Sequence, residues 1–164
     1  MAPTSAHPHG RSARAPRGRA LDRLAWSATV HCLSGCAIGE VLGMVIGTAA
    51  GFSNTATIAV SVLLAFAFGY SLTSLPLLRS GLSVRTVAPL AFASDTLSIA
   101  VMEIVDNGFI LVIPGAIDAG LGDVLFWASL AASLVLAAAA AFPVNRWLIG
   151  RGRGHAVVHA HHGH

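Results

Sequence analysis

Hydrophobic residues run almost unbroken through four stretches, Ser27 to Gly51, Thr55 to Leu77, Thr86 to Ile113 and Asp123 to Ile149. Each is long enough, at about 1.5 Å per helical residue, to cross roughly 30 Å of hydrocarbon. The pattern predicts four membrane-spanning helices. In the first, Cys32, Cys36, Glu40 and Met44 recur at four-residue intervals on one ridge, and Gly35, Gly39, Gly43, Gly47 and Gly51 recur on the ridge beside it. Such a run of small residues makes a groove where another helix approaches closely. In the third, Asp95, Ser98, Met102 and Asp106 form one stripe, with Glu103 and Asn107 at its edge. The second and fourth carry no ionisable group in mid-span apart from Tyr70. The simplest packing therefore sets the first and third helices at the centre, stripe facing stripe and brought together by the glycine ridge, with the other two outside against lipid.

Composition agrees with a membrane solvent. Hydrophobic residues are 55% of the 164 and charged residues 10%, well below the roughly 25% charge of soluble domains. All ten basic residues are Arg. Five precede the first span, Arg79 and Arg85 lie between the second and third, and Arg146, Arg151 and Arg153 follow the fourth. By the positive-inside rule both termini and the central connection are cytoplasmic, while the connections around Phe52 to Asn54 and Pro114 to Gly122 face out. Trp26 and Trp147 suit the inner interface and Trp127 the outer one. The first apolar run exceeds a signal-peptide core and contains His, Cys and Glu, so it reads as an uncleaved helix. Residues 1–24 are expected to form a disordered Arg-rich arm, 25–150 the bundle, and 151–164 a His-rich cytoplasmic tail. That tail, with His155, His159, His161, His162 and His164, has the composition of a loose divalent-ion binder.

An internal repeat is expected. Aligning Glu40 with Glu103 pairs Cys32 with Asp95, Gly35 with Ser98 and Gly43 with Asp106, and the hairpins end alike in Pro76 to Arg79 and Pro143 to Arg146. Both copies start from the cytoplasm, which makes two similar helical hairpins in parallel duplication.

The polar groups carry the candidate chemistry. Charged side chains inside a bilayer usually face a bundle interior or a wet cavity and mark function. Glu40, Asp95, Glu103 and Asp106 are acids in or near the hydrocarbon, and His31 is the only base at similar depth. Ionised and unpaired acids there are untenable, so either most carry a proton or a cation sits among them. Thiolate, thioether and imidazole groups favour a softer ion such as Cu(I) or Zn(II). The expected metal ligands are His31, Cys32, Cys36, Glu40, Asp95, Met102, Glu103 and Asp106, with no catalytic residue. Packing is the plainer reading of the two cysteines and of Met44 and Met102, and a backbone hydrogen bond that of His31.

The runs HCLSGCAIGEVLGMVIGTAAG from His31, SDTLSIAVMEIVDN from Ser94 and FPVNRWLI from Phe142 resemble the DUF4396 family, small prokaryotic membrane proteins of unknown function. The resemblance spans about Thr29 to His159. It implies a four-helix bundle in a prokaryotic inner membrane and assigns no activity.

Three function classes follow. The first is a protein that binds or transports a transition-metal cation, with proton exchange. The second is a non-catalytic subunit packing against a partner through its glycine ridge. The third is a membrane thiol, haem or quinone redox protein, which lacks a CxxC pair, a Gly-rich cofactor loop and a sizeable extramembrane domain. An enzyme is thus the less favoured outcome. Expected partners are the lipid bilayer, a metal cation or proton, and a second copy of the chain in a homodimer; no nucleic acid is expected.

Overall fold

The computed structural model describes residues 17–151. Both the His-rich tail and the first sixteen residues of the arm lie outside that range. The chain forms α1 (Arg19–Ala50), α2 (Asn54–Arg79), α3 (Val84–Val112) and α4 (Val124–Gly150), with a short 3-10 turn at Ala116–Asp118. All four helices are long and apolar enough to cross a membrane. Exposed Leu63, Ile104, Val112 and Val135 clothe the outside, as a lipid-facing surface requires.

The helix ends follow local chemistry. Gly51, at φ 66°, closes α1 in the left-handed conformation, and the Phe52 amide donates to the Gly47 carbonyl at 2.9 Å. A non-glycine residue there meets its own Cβ against backbone. Ser53 then caps α2 by accepting the Ala56 amide. These signals turn α1 into α2 within three residues, Gly51, Phe52 and Ser53.

Sequence expectation and structure part at the start of α1. Arg19 to Leu24, assigned to the arm because of its charges, is helical. Leu21, Ala25 and Ala28 recur on one face and pack on Ile149 of α4, and Asp22 accepts from Arg146 Nε at 2.6 Å. Burial along that face outweighs the charge of the exposed one.

A second correction concerns the glycine groove. It receives α2, not α3. A Cβ on Gly35 would lie 2.8 Å from the backbone of Gly69, one on Gly39 would strike Ala65, one on Gly43 Ser61, and one on Gly47 Thr57. The contacts step forward by four on α1 and back by four on α2, an antiparallel seam of small residues. Small side chains permit near backbone contact, and packing without a hydrophobic drive rests on such proximity. Between α2 and α3, Tyr70 shares a 2.8 Å hydrogen bond with Thr96, and Leu77 packs on Val87.

The result is an up-and-down bundle in which α1 and α3 run parallel across the diagonal. Side chains alone join that pair, and the expected facing of their two stripes holds. Arg17, Arg19, Arg23, Arg79, Arg85, Arg146 and Arg151 all fall at one end, hereafter the arginine end. The α1–α2 and α3–α4 connections form the opposite end.

The seam makes a sharp prediction. Gly39→Val forces a branched side chain into Ala65 and is expected to destabilise the bundle by about 1–3 kcal/mol or more, read as a fall in detergent melting temperature. Gly108, whose Cβ would meet nothing within 4 Å, is the control, and Gly108→Ala should melt like the wild type.

Candidate functional site

The seam fixes the rotation of α1. Cys36, Glu40 and Met44 each follow a seam glycine by one residue, about 100° further round the helix, and that rotation turns Cys36 and Glu40 toward α3. The interior they enter is layered along the bundle axis.

Nearest the arginine end, Asn145 of α4 donates to the Thr29 hydroxyl at 3.0 Å, and Thr29 donates to the Ala25 carbonyl. Next comes Cys32, with Asp95 and Ser98 of α3 within interaction range of it. Asp95 is buried and accepts from Ser94 at 2.8 Å. Above them Cys36 Sγ lies 4.0 Å from Met102 Sδ. Ile99, Ala65, Ala137 and Ala141 pack around that contact into the main apolar cluster. Both cysteines are free thiols and buried.

Beyond this seal lie the acids. Glu40 faces Glu103 and Asp106 closely enough for their charges to interact. Glu103 and Asp106 are 5% and 2% exposed, so the bundle interior is their only surroundings. Ser133 of α4 donates to Asp106 Oδ1 at 2.5 Å. Asn107 donates to the Glu103 carbonyl at 3.0 Å and points a second, longer contact at its carboxylate. One oxygen of each acid, Glu40 Oε1, Glu103 Oε1 and Asp106 Oδ2, is buried without a hydrogen-bond partner among the described residues. None of the three has an ion-pair partner there.

The eight expected ligands are therefore divided. Glu40, Glu103 and Asp106 form one group, Cys36 and Met102 a sulfur contact beneath it, and Cys32 and Asp95 a further pair. His31 turns aside to α2, where Nε2 lies 3.0 Å from the Thr73 hydroxyl. Among the described residues, no group of three or more His, Cys, Asp and Glu side chains is arranged to hold a metal ion. Ser98 lies here as its place on the α3 stripe led one to expect, whereas Ser133 and the Asn145–Thr29 pair belong to this interior and were not singled out from sequence. Ser133 stands among alanines with the look of a packing residue, and only the rotation of α4 aims it at Asp106.

A cavity of about 170 Å³ opens at the end opposite the arginines. Glu40 lies on its wall, about 15 Å along the helix from the end of α1, together with Met44, Ser61 and Asn107. Residues of both connections complete the lining, including Phe52 and Asp118. Asn54 donates to Asp118 at 2.8 Å and ties the two connections together.

A family profile described as a domain of unknown function (DUF4396) matches residues 23–154. The chain belongs to the DUF4396 family. The match takes in all of α2, α3 and α4 and nearly all of α1, so this member's interior layers fall within the family domain. No match is found among curated proteins or among solved structures.

Two outcomes check this geometry. Ser133→Ala deprives a buried carboxyl of its donor and is expected to lower stability by about 1–3 kcal/mol. A double-mutant cycle with Asp106→Ala, which removes the acceptor, should recover most of that loss as coupling. Cys32 and Cys36, both buried in the bundle, should resist N-ethylmaleimide in mild detergent and react fully in SDS. Fast labelling of the folded protein would refute the seal.

Proposed function

We propose that this DUF4396 protein is a membrane cation-binding protein that exchanges a cation for protons at Glu40, Glu103 and Asp106. The reading rests on one observation: three carboxyls from two diagonal helices meet inside the bundle with unpartnered oxygens and no basic partner among the described residues. Burying such groups as bare charges is prohibitive. Protons or a bound cation must neutralise them, and a group that alternates between the two is an exchanger. The cavity supports the reading because it brings Glu40 within reach of one side of the membrane. By the positive-inside rule that side is the outer one, since the arginines gather at the other end.

On the arginine side of the acids, Cys36, Met102 and Ile99 pack with Cys32, Ala65, Ala137 and Ala141 into one apolar layer. An apolar layer of this kind is a barrier to ions, so access to the acids is one-sided in this conformation.

A second reading keeps the softer ion. Cys36 and Met102 set two sulfurs 4.0 Å apart, with Cys36 also within reach of Glu103, and thiolate with thioether suits Cu(I). The subunit reading loses its surface, because the glycine ridge is covered by α2 of the same chain.

The test is a flux assay in proteoliposomes containing a trapped pH dye. Addition of a cation panel spanning Na⁺, Zn²⁺, Cu⁺ and methylammonium is expected to alter luminal pH with wild type. Glu40→Gln with Asp106→Asn should reduce the rate at least tenfold while the melting temperature holds. Rates equal to those of empty vesicles for every cation would end the proposal. A response to Cu⁺ alone, lost in Cys36→Ser, would select the second reading.

A further inference from the structure

The lining of the cavity narrows the class of cation. A bare metal ion seeks several convergent oxygen, nitrogen or sulfur ligands, and the cavity does not supply them. Its ionisable groups are Glu40 inside and Asp118 at the connections, with no basic side chain. The rest divides into apolar surface from Phe52, Phe126 and Met44 and scattered neutral polar groups. A space of about 170 Å³ is close to the roughly 150 Å³ that admits benzene in an engineered protein cavity.

A carboxyl at the inner wall of a largely apolar, partly aromatic pocket, backed by two further acids, is the complement of a small organic cation. Aromatic faces attract ammonium groups, alkylated ones included. Neutral oxygens of Ser61 and Asn107 accept N–H bonds where the ammonium carries them. Asp118, held by Asn54, adds a negative charge at the connections, which raises the local concentration of cations. Glu40 Oε1, buried and without a hydrogen-bond partner, is the acceptor such a ligand would satisfy.

We infer that the cavity binds a small organic ammonium ion, its charge against Glu40 and its carbon body against Phe52, Phe126 and Met44. This rests on the reading of Glu40 as a cation site and names the substrate class. The ammonium has two possible sources, a free amine in solution or the headgroup of an aminolipid, and both present the same chemistry.

The experiment uses the full chain in nanodiscs of phosphatidylglycerol alone, with tetramethylammonium and ethylammonium titrated by calorimetry. Saturable binding of either is expected, while tetrabutylammonium, too large for the cavity, gives none. Phe52 lies in the α1–α2 connection and is 45% exposed, so Phe52→Ala removes a ring without cutting into the seam. That variant should weaken tetramethylammonium about three- to tenfold with its melting temperature unchanged. Glu40→Gln should abolish binding.

If ethanolamine lipid added to the nanodiscs competes with the free amine, the headgroup is the source; if it does not, a soluble amine is. Flux with inorganic cations but no organic-ammonium binding would overturn this inference and leave cation exchange standing. Binding unaffected by Phe52→Ala and Glu40→Gln would place the ion elsewhere and overturn it as well. Absence of both flux and binding would remove the exchange reading too.

Discussion

The near contact of α1 with α2 governs the rest of the molecule. Four glycines on α1 meet Gly69, Ala65, Ser61 and Thr57 on α2, with no side chain on the α1 side between the backbones. Lipid offers apolar side chains little reason to leave it, so helices in a membrane associate where their shapes permit close van der Waals contact. Once that face is committed, the rotation of α1 is no longer free. The neighbouring ridge, with Cys36 and Glu40, is swung into the bundle and across the diagonal to α3. Chemistry that would be untenable toward lipid is thereby enclosed, and α4 completes the enclosure with Ser133 and Asn145.

Polarity is graded along the axis as a result. The acids and the cavity occupy one half and Asp95 and Ser98 the other, with a sulfur and aliphatic layer that takes in Cys32 between them. Each polar layer is served by helices that looked merely apolar. Asp106 depends on α4 for its hydrogen bond and Glu40 on residues of α2 for its cavity. The interior is thus a property of four helices, although its charges come from two.

The spans were legible because hydropathy and length act through one strong constraint, the thickness of hydrocarbon. The facing of α1 and α3 was legible too, since both stripes are polar and neither tolerates lipid. What covered the glycines was not, because small-residue spacing reports how closely a helix can approach and not which helix it is. The matching signal lay in α2, where Thr57, Ser61, Ala65 and Gly69 repeat the same interval. The start of α1 was missed because Arg19 and Arg23 drew attention from Leu21, Ala25 and Ala28. The cavity had no linear signature, being assembled from two connections and four helix ends. His31 was grouped with the cysteines by adjacency, yet a neighbour on a helix points 100° away, and its partner proved to be Thr73.

The seam also decides what the bundle can do mechanically. Where two helices meet backbone to backbone, neither can slide or roll without lifting apart, because no flexible side chain lies between them to absorb the shift. The first hairpin is therefore a stiff plank. The α1–α3 diagonal is different: it is bridged by Met102 and the cysteines, whose soft, polarisable sulfurs adapt to small shifts. What give the bundle has lies across that line of soft sulfur contacts and not along the seam.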